Sequence, residues 1–373
     1  MGNQDLDKVI VHSPGRINII GEHTDYNLGY VLPTSIDKRI RFTLERNNTD
    51  THCEIRSHGY DKALVVDLKH IAPSNAQWEN YILGVLYEIY KRNKDLKGFQ
   101  CTIESDLPIG SGVSSSAALE CGLTFGLNEL FNLGLSKHEI VTLSRNAEHN
   151  YVGTKCGIMD QFASVMGKKD HVILLDCKSM DYTYVPFFIA PYKLVLLNSN
   201  VSHSLASSEY NTRRNECEEG VSILQKKYPF IDSLRDVNLD MIDSCKKDMS
   251  PKVLNRCTYV VQENNRVLNA VDALKKGDLK TLGTLMYQTH EGLRTLYEVS
   301  CPELDFLVDY SKNVDGVLGS RLMGGGFGGC TINLVHADVA DSFIESVSEA
   351  YEKEFHIKLT SFEGHPNAGT TLL

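Results

Sequence analysis

The sequence predicts an α+β protein of two domains. Its 373 residues suit two hydrophobic cores better than one or three. Strand-type periodicity dominates the first hundred residues. A mainly helical stretch follows from about Glu209 to Tyr310, and strand, helix and strand return near the end. Runs of strands followed by helices, then a second mixed block, differ from the regular βα alternation of a parallel sheet. No Pro/Gly/Ser-rich linker separates the halves. The boundary is set near residue 190, where predicted strands flank Pro186 and Pro191, giving domains 1–190 and 191–373. Two domains in tight contact would leave a ligand cleft between them.

The elements follow from spacing. Residues 39–45 alternate, with Ile40, Phe42 and Leu44 on one face, and 99–105 do the same with Phe99, Cys101 and Ile103. Between them Trp78, Tyr81, Ile82, Val85, Leu86 and Ile89 form one helical stripe. Residues 117–130 are apolar on most sides and predict a buried helix. Ser136 and Glu139 match a capping box, so a helix should start at Lys137. Residues 171–177, 193–198, 330–335 and 358–362 read as strands, and 338–355 as a helix.

Charge and composition exclude several classes. The chain carries 38 Lys+Arg against 48 Asp+Glu, a net charge of −10. That balance argues against nucleic acid or an anionic membrane as partner, since both favour basic surface. It leaves phosphate ligands open, because a local loop can bind phosphate on an acidic protein. Apolar runs such as 172–175 and 194–197 fall far short of the ~20 residues of a membrane helix. The N-terminal stretch has no basic or apolar segment of a signal peptide, and Met1-Gly2 is followed by Leu6 where a myristoylation signal needs Ser or Thr. The ten cysteines include no CxxC pair, so they read as reduced thiols of a cytoplasmic protein.

Four segments carry candidate chemistry. Residues 13–27 put Arg16, Asn18, Glu22, His23, Asp25 and Asn27 close together, either as a polar surface turn or as a polyol site, since carboxylates accept strongly from vicinal hydroxyls. Residues 107–118 place Gly110, Ser111, Gly112, Ser114, Ser115 and Ser116 at the start of the buried helix. The segment is either an N-cap with spare serines or an anion site of free N–H groups. It lacks the GK[ST] of a Walker A loop. Residues 323–330, MGGGFGGC, fit G-x-G-x-x-G literally, but a strand follows where a dinucleotide fold needs a helix. These glycines point to close backbone approach, to a ligand or to another loop. In 148–162, Glu148 sits at a helix end and Asp160 in an apolar stretch, as surface charge and structural acceptor or as functional carboxylates.

Taken together, GRINIIGEHTDYN (15–27), LPIGSGVSSSAAL (107–119), CGIMDQF (156–162), the 198–214 stretch and LMGGGFGGC (322–330) resemble the galactokinases of the GHMP small-molecule kinase family. The resemblance runs from about Pro14 to the third motif. It implies the two-domain GHMP kinase fold, with an N-terminal half like ribosomal protein S5 domain 2, a ferredoxin-like C-terminal half with extra helices, and the active site in the interdomain cleft. It also implies transfer of the γ-phosphate of ATP to the anomeric C1 hydroxyl of α-D-galactose, the first step of galactose catabolism, by a monomer.

By motif match, Asp160 is implied as general base and Arg16 as the cation that orients it and steadies developing charge. Glu22, His23 and Asp25 would bind sugar hydroxyls, with the Gly157 backbone and Tyr210 completing the pocket. The Gly110–Ser116 loop would hold ATP, and Ser116 and Glu148 would be Mg²⁺ ligands. Trp78 and Tyr81 match an adenine-lining pair, although their helical spacing reads equally as core. The alternatives are N-acetylgalactosamine or another galactose-like sugar, and a non-catalytic sugar and ATP sensor. Thr24 in EHTDY favours the galactose enzymes, and the complete Ser114–Ala118 run argues against the sensor. The sequence departs from the family in a short arm before Pro14 and in Val113, where Leu is commoner.

Overall fold

The structure is a computed structural model that describes residues 6–108, 110–202 and 206–373, apart from the side chains of 202 and 206–208. The Met1-Gly2 reading, Ile109 of the glycine loop and residues 203–205 of the 198–214 stretch lie outside the described residues. The first half contains β1 (Lys8–Asn18), β2 (Tyr30–Val31), β3 (Pro33–Arg46), β4 (His52–Ser57), β5 (Leu64–Asp67), α1 (Gln77–Arg92), β6 (Phe99–Ser105), α2 (Ser115–Phe131), α3 (Lys137–Ala147), α4 (Met159–Met166), β7 (His171–Asp176) and β8 (Tyr182–Pro186). The second contains β9 (Tyr192–Ser202), α5 (Ala206–Gln225), α6 (Leu239–Cys245), α7 (Pro251–Lys276), α8 (Leu279–Thr295), α9 (Pro302–Ser311), β10 (Val317–Leu322), β11 (Gly328–His336), α10 (Ala340–Phe355), β12 (Thr360–Glu363) and β13 (Thr371–Leu372).

Three sheets organise these elements. The largest runs β13-β1-β3-β6-β4-β5, the second β10-β11-β9-β12, and the third β2-β7-β8. In the first, the alternating residues pair across strands, with Val11 opposite Phe42 and Phe42 opposite Ile103. That alignment puts Val9, Val11, Ile40, Phe42, Leu44, Phe99, Cys101 and Ile103 on one buried face. Helix α2 is buried on most sides because it lies between this sheet and helices α1, α3 and α4. The Ser136 hydroxyl and Glu139 carboxylate satisfy each other's backbone N–H groups, which starts α3 where the capping box predicts.

The strand predictions hold with small offsets: the last pair begins at Gly328 and at Thr360. The helix expected from 338 begins at Ala340, because a 3₁₀ turn over Ala337–Val339 comes first. A single apolar cluster joins the two larger sheets, from Ile17 and Ile19 to Leu196, Ile332 and Met286. After β12 the chain returns to the first half. Asn367 N–H donates to Ser35 O, Thr370 N–H to Ser164 O and Leu373 N–H to Ile10 O, so the final residues lace α4 to the first sheet. Among the described residues, no helix is long and apolar enough to cross a membrane. All ten cysteines are free, and only Cys156 is more than slightly exposed.

Candidate active site

The 13–27 segment is not a surface turn. Strand β1 carries Arg16 and Asn18 directly into the interior, and Glu22, His23, Thr24 and Asp25 are buried after it. Burying so many polar groups is costly unless each is paired or left for a ligand. Arg16 is paired in full. Its Nε and Nη2 donate to Asp160 Oδ1 and Oδ2 at 2.7 and 2.9 Å, and its Nη1 donates to Gly112 O at 2.6 Å. Burial alone would lower the Arg16 pKa, but Asp160, with help from Glu22, raises it instead. The Ser114 hydroxyl donates to Asp160 Oδ2 at 2.5 Å. Ser114 adopts φ 58°, a left-handed conformation uncommon for a side chain larger than glycine, just before α2 begins. Asp160 sits in the first turn of α4, so short α4, β1 and the glycine loop all converge on one carboxylate.

Two cavities meet there. The first is lined by Glu22, His23, Asp25, Cys156, Met159 and Tyr210. The second is lined by Pro108 and Gly110–Ser116, including Ser114, Ser115 and Ser116. Arg16, Asp160, Gly324 and Gly325 line both. In the first cavity Glu22 Oε1 accepts from Arg321 Nη1 at 3.0 Å and from the Gly324 N–H at 2.9 Å. Gly157 lies so close to Asp25 that a Cβ there would overlap the carboxylate. His23 stands 5.4 Å from the Tyr210 ring, centroid to centroid. A wider cleft lies beyond Tyr26, but its acidic groups, Glu218 and Asp232, are exposed and face solvent, and its Arg214 is half-buried. We place the chemistry in the two smaller cavities, where charge is buried.

The third glycine motif is explained by backbone approach to another loop. A Cβ at Gly112 would lie 3.2 Å from Met323 O, and one at Gly329 would lie 3.7 Å from Gly110 O. The Gly324–Gly329 turn therefore roofs the glycine-serine loop. Trp78 and Tyr81 do not line the loop cavity. Trp78 stacks on Tyr60 at 4.2 Å and 24°. The Tyr81 hydroxyl titrates above its usual range, to a degree set first by burial and then by the Glu148 and Glu120 charges.

Behind Asp160 lies a second acidic cluster. Gln161 Nε2 donates to Glu148 Oε2 at 2.9 Å and to Glu120 Oε2 at 3.3 Å. Burial, then Asp160, pushes Glu148 up to about 7. Glu120 is also raised, again first by burial and then by Glu148. Asp25 is also pushed up to about 7, by burial first and then by Asp160, against an ordinary 3.8. A carboxyl raised on folding favours the native state most when protonated. Its contribution is full below about 3.8 and is lost as pH rises through about 7. We expect the thermal midpoint of Asp25→Asn, minus that of the ligand-free wild type, to grow steadily across that interval. A constant difference would overturn the assignment.

Sequence reasoning missed several contributors. Arg321 holds Glu22 and three backbone carbonyls, at Ile19, Asn18 and Leu322, with no exposure. The available signal was a lone arginine between Leu318 and Leu322, just before a glycine turn. Glu120 was legible as an acid on the otherwise apolar first turns of the helix 117–130. Gln161 lies inside the CGIMDQF stretch but had no assigned part. Tyr26 and Tyr297 meet at 2.7 Å beneath His23, and nothing in the irregular 296–301 segment announced the second of them.

An anion loop at a helix start that shares a carboxylate with an enclosed acidic pocket, on these two sheets, defines a small-molecule kinase of the GHMP class. The GHMP kinases N terminal domain matches residues 80–168 and the GHMP kinases C terminal domain residues 270–353. The Galactokinase galactose-binding signature matches residues 1–46. The galactokinase of Thermotoga petrophila is 43% identical over 353 residues, covering 95% of this chain and 97% of its own. That of Thermosipho africanus is 42% identical over 361 residues, covering 97% and 99%. The crystal structure of Lactococcus lactis galactokinase complexed with galactose superposes with a TM-score of 0.94 at 34% identity, covering 99% of this chain and 96% of that one. Methanococcus jannaschii mevalonate kinase, at 19% identity and a TM-score of 0.67 over 96% and 98%, shares the fold. The chain belongs to the galactokinase family.

Proposed function

We propose that this protein transfers the γ-phosphate of ATP to the anomeric C1 hydroxyl of α-D-galactose, giving galactose 1-phosphate, with Asp160 as base and Arg16 as charge stabiliser. The observation that carries this reading is that one carboxylate lines both cavities. A hydroxyl bound in the acidic pocket would meet a phosphoryl group held by the loop beside Asp160. Phosphoryl transfer asks mainly for positioning and charge neutralisation. The Gly110–Ser116 backbone and hydroxyls supply both for the phosphates. Asp160 accepts the hydroxyl proton or orients the hydroxyl, and Arg16 holds it in place.

Glu22, His23, Asp25, Gly157 and Tyr210 bind the sugar in this reading. Glu22 and Asp160 line the pocket and would repel a carboxylate on the sugar, which disfavours a uronic acid. Trp78 and Tyr81 are assigned to the adenine side. The donor set suits Mg²⁺, since Ser116 and Glu148 are hard oxygen ligands. Burial of Glu148 and its closeness to Asp160, which together raise its pKa, are what a dication would relieve. Among the described residues no group of three or more His, Cys, Asp or Glu could hold a metal by itself. Mg²⁺ commonly takes one or two protein oxygens and completes its shell with phosphates and water. When bound, the ion would neutralise phosphate charge. The 1–190 and 191–373 division, a monomeric state and a cytoplasmic location, favoured by ten free thiols, belong to the same proposal.

The test is ADP release, coupled to a reporter, over galactose, N-acetylgalactosamine, galacturonate and glucose with Mg²⁺ and ATP. Galactose should give the highest kcat/KM. A higher value for another sugar would overturn the substrate, and no turnover of any sugar by folded protein would overturn the enzyme.

A further inference from the structure

His23 sits on the wall of the acidic pocket at the end of a hydrogen-bonded chain. Its Nδ1 lies 2.8 Å from the Tyr26 hydroxyl, which lies 2.7 Å from that of Tyr297, which in turn lies 3.2 Å from Cys217 Sγ. His23, Tyr297 and Cys217 are buried and Tyr26 is half-buried. His23 also adopts φ 61°, in the left-handed region, so its backbone is committed to this placement. Burial, aided by the Arg213 charge and opposed by the Gly325 backbone, drops its pKa to about 3, so the ring is neutral and has one N–H.

Which nitrogen carries that proton follows from the chain. Each hydroxyl between the ends has a single proton, and with each spending it inside the chain all donate in one direction or all in the other. A phenol is a stronger donor than neutral imidazole, and an imidazole nitrogen a stronger acceptor than a phenol oxygen. The reverse direction would end with the Tyr297 hydroxyl donating to a sulfur, a weak acceptor. The favoured direction runs from the Cys217 thiol through Tyr297 to Tyr26, whose O–H donates to Nδ1. The proton is then on Nε2, which faces the Gly325 backbone at the pocket with no fully formed hydrogen bond.

We propose that Tyr26 is a positioning residue that keeps His23 in its Nε2–H tautomer, so that the ring offers the sugar a donor beside the acceptor carboxylates of Glu22 and Asp160. The part concerning sugar rests on the galactose reading above, whereas the tautomer does not.

Long-range ¹H–¹⁵N NMR of the full chain, with the His23 signals assigned by their loss in His23→Gln, tests it. Wild type should show a protonated Nε2 and a bare Nδ1. Tyr26→Phe should shift the population toward Nδ1–H. Tyr297→Phe should keep the wild-type tautomer, because Tyr26 still donates. In kinetics, Tyr26→Phe should raise KM for galactose about tenfold with kcat little changed, and Tyr297→Phe should raise it less. An Nδ1–H ring in wild type, or an unchanged tautomer in Tyr26→Phe, would overturn the proposal. Absence of galactose turnover would sink the substrate reading and leave the NMR result to decide the tautomer.

Discussion

Asp160→Asn lowers kcat by about 10²- to 10⁴-fold, the range for losing a positioned acid–base group, with the fold intact. The carboxylate accepts three hydrogen bonds, two from Arg16 and one from Ser114. An amide in its place can accept through one atom only, and its NH₂ would face a donor of Arg16 or Ser114. The helix around it need not move, since Met159, Phe162 and Ala163 still anchor α4 in the core. KM for ATP should change little, because the loop proposed to hold phosphate is made of other residues. Steady-state kinetics alongside a thermal midpoint separates the chemical effect from unfolding. A near-wild-type kcat would refute any direct part for Asp160.

The second large effect is on stability. Arg321→Met should cost about 3–5 kcal/mol, as expected when one partner of a buried ion pair is removed. Arg321 is fully buried. Its loss strands the Glu22 charge on one remaining backbone N–H and leaves carbonyls of Asn18, Ile19 and Leu322 without their donor. Methionine matches the length of the arginine stem, so the loss is electrostatic rather than a cavity. Urea unfolding measures it as a fall in midpoint at constant slope. A shift below about 1 kcal/mol, the level of an exposed pair, would show that Glu22 finds another partner. KM for galactose should rise in the same variant, because Glu22 would no longer be fixed at the pocket wall.

Much of the fold was legible because periodicity is local. The alternation of Ile40, Phe42 and Leu44 and the Ser136–Glu139 cap need only a few neighbouring residues to be read. The site is legible in its parts but not in its joins. Arg16 and Asp160 are 144 residues apart, and no spacing rule pairs them. The 13–27 segment read equally as a surface turn, because a dense polar cluster looks alike whether water or protein satisfies it. Burial decided the matter. Arg321 and Tyr297 act through partners 299 and 271 residues away, so their significance exists only once the chain has folded.

The lacing of the final residues onto the first sheet has a consequence for biosynthesis. Thr370 bonds Ser164 in the helix that bears Asp160, and also reaches the Ser13 hydroxyl on β1. Until the ribosome releases that segment, one edge of β1 stays unpaired, and such an edge invites non-native pairing. Nascent chains that stop before residue 362 should therefore be inert and more prone to aggregate than the 373-residue chain. Synthesis of residues 367–373, rather than folding of the first half alone, would lock the helix that bears Asp160 into place.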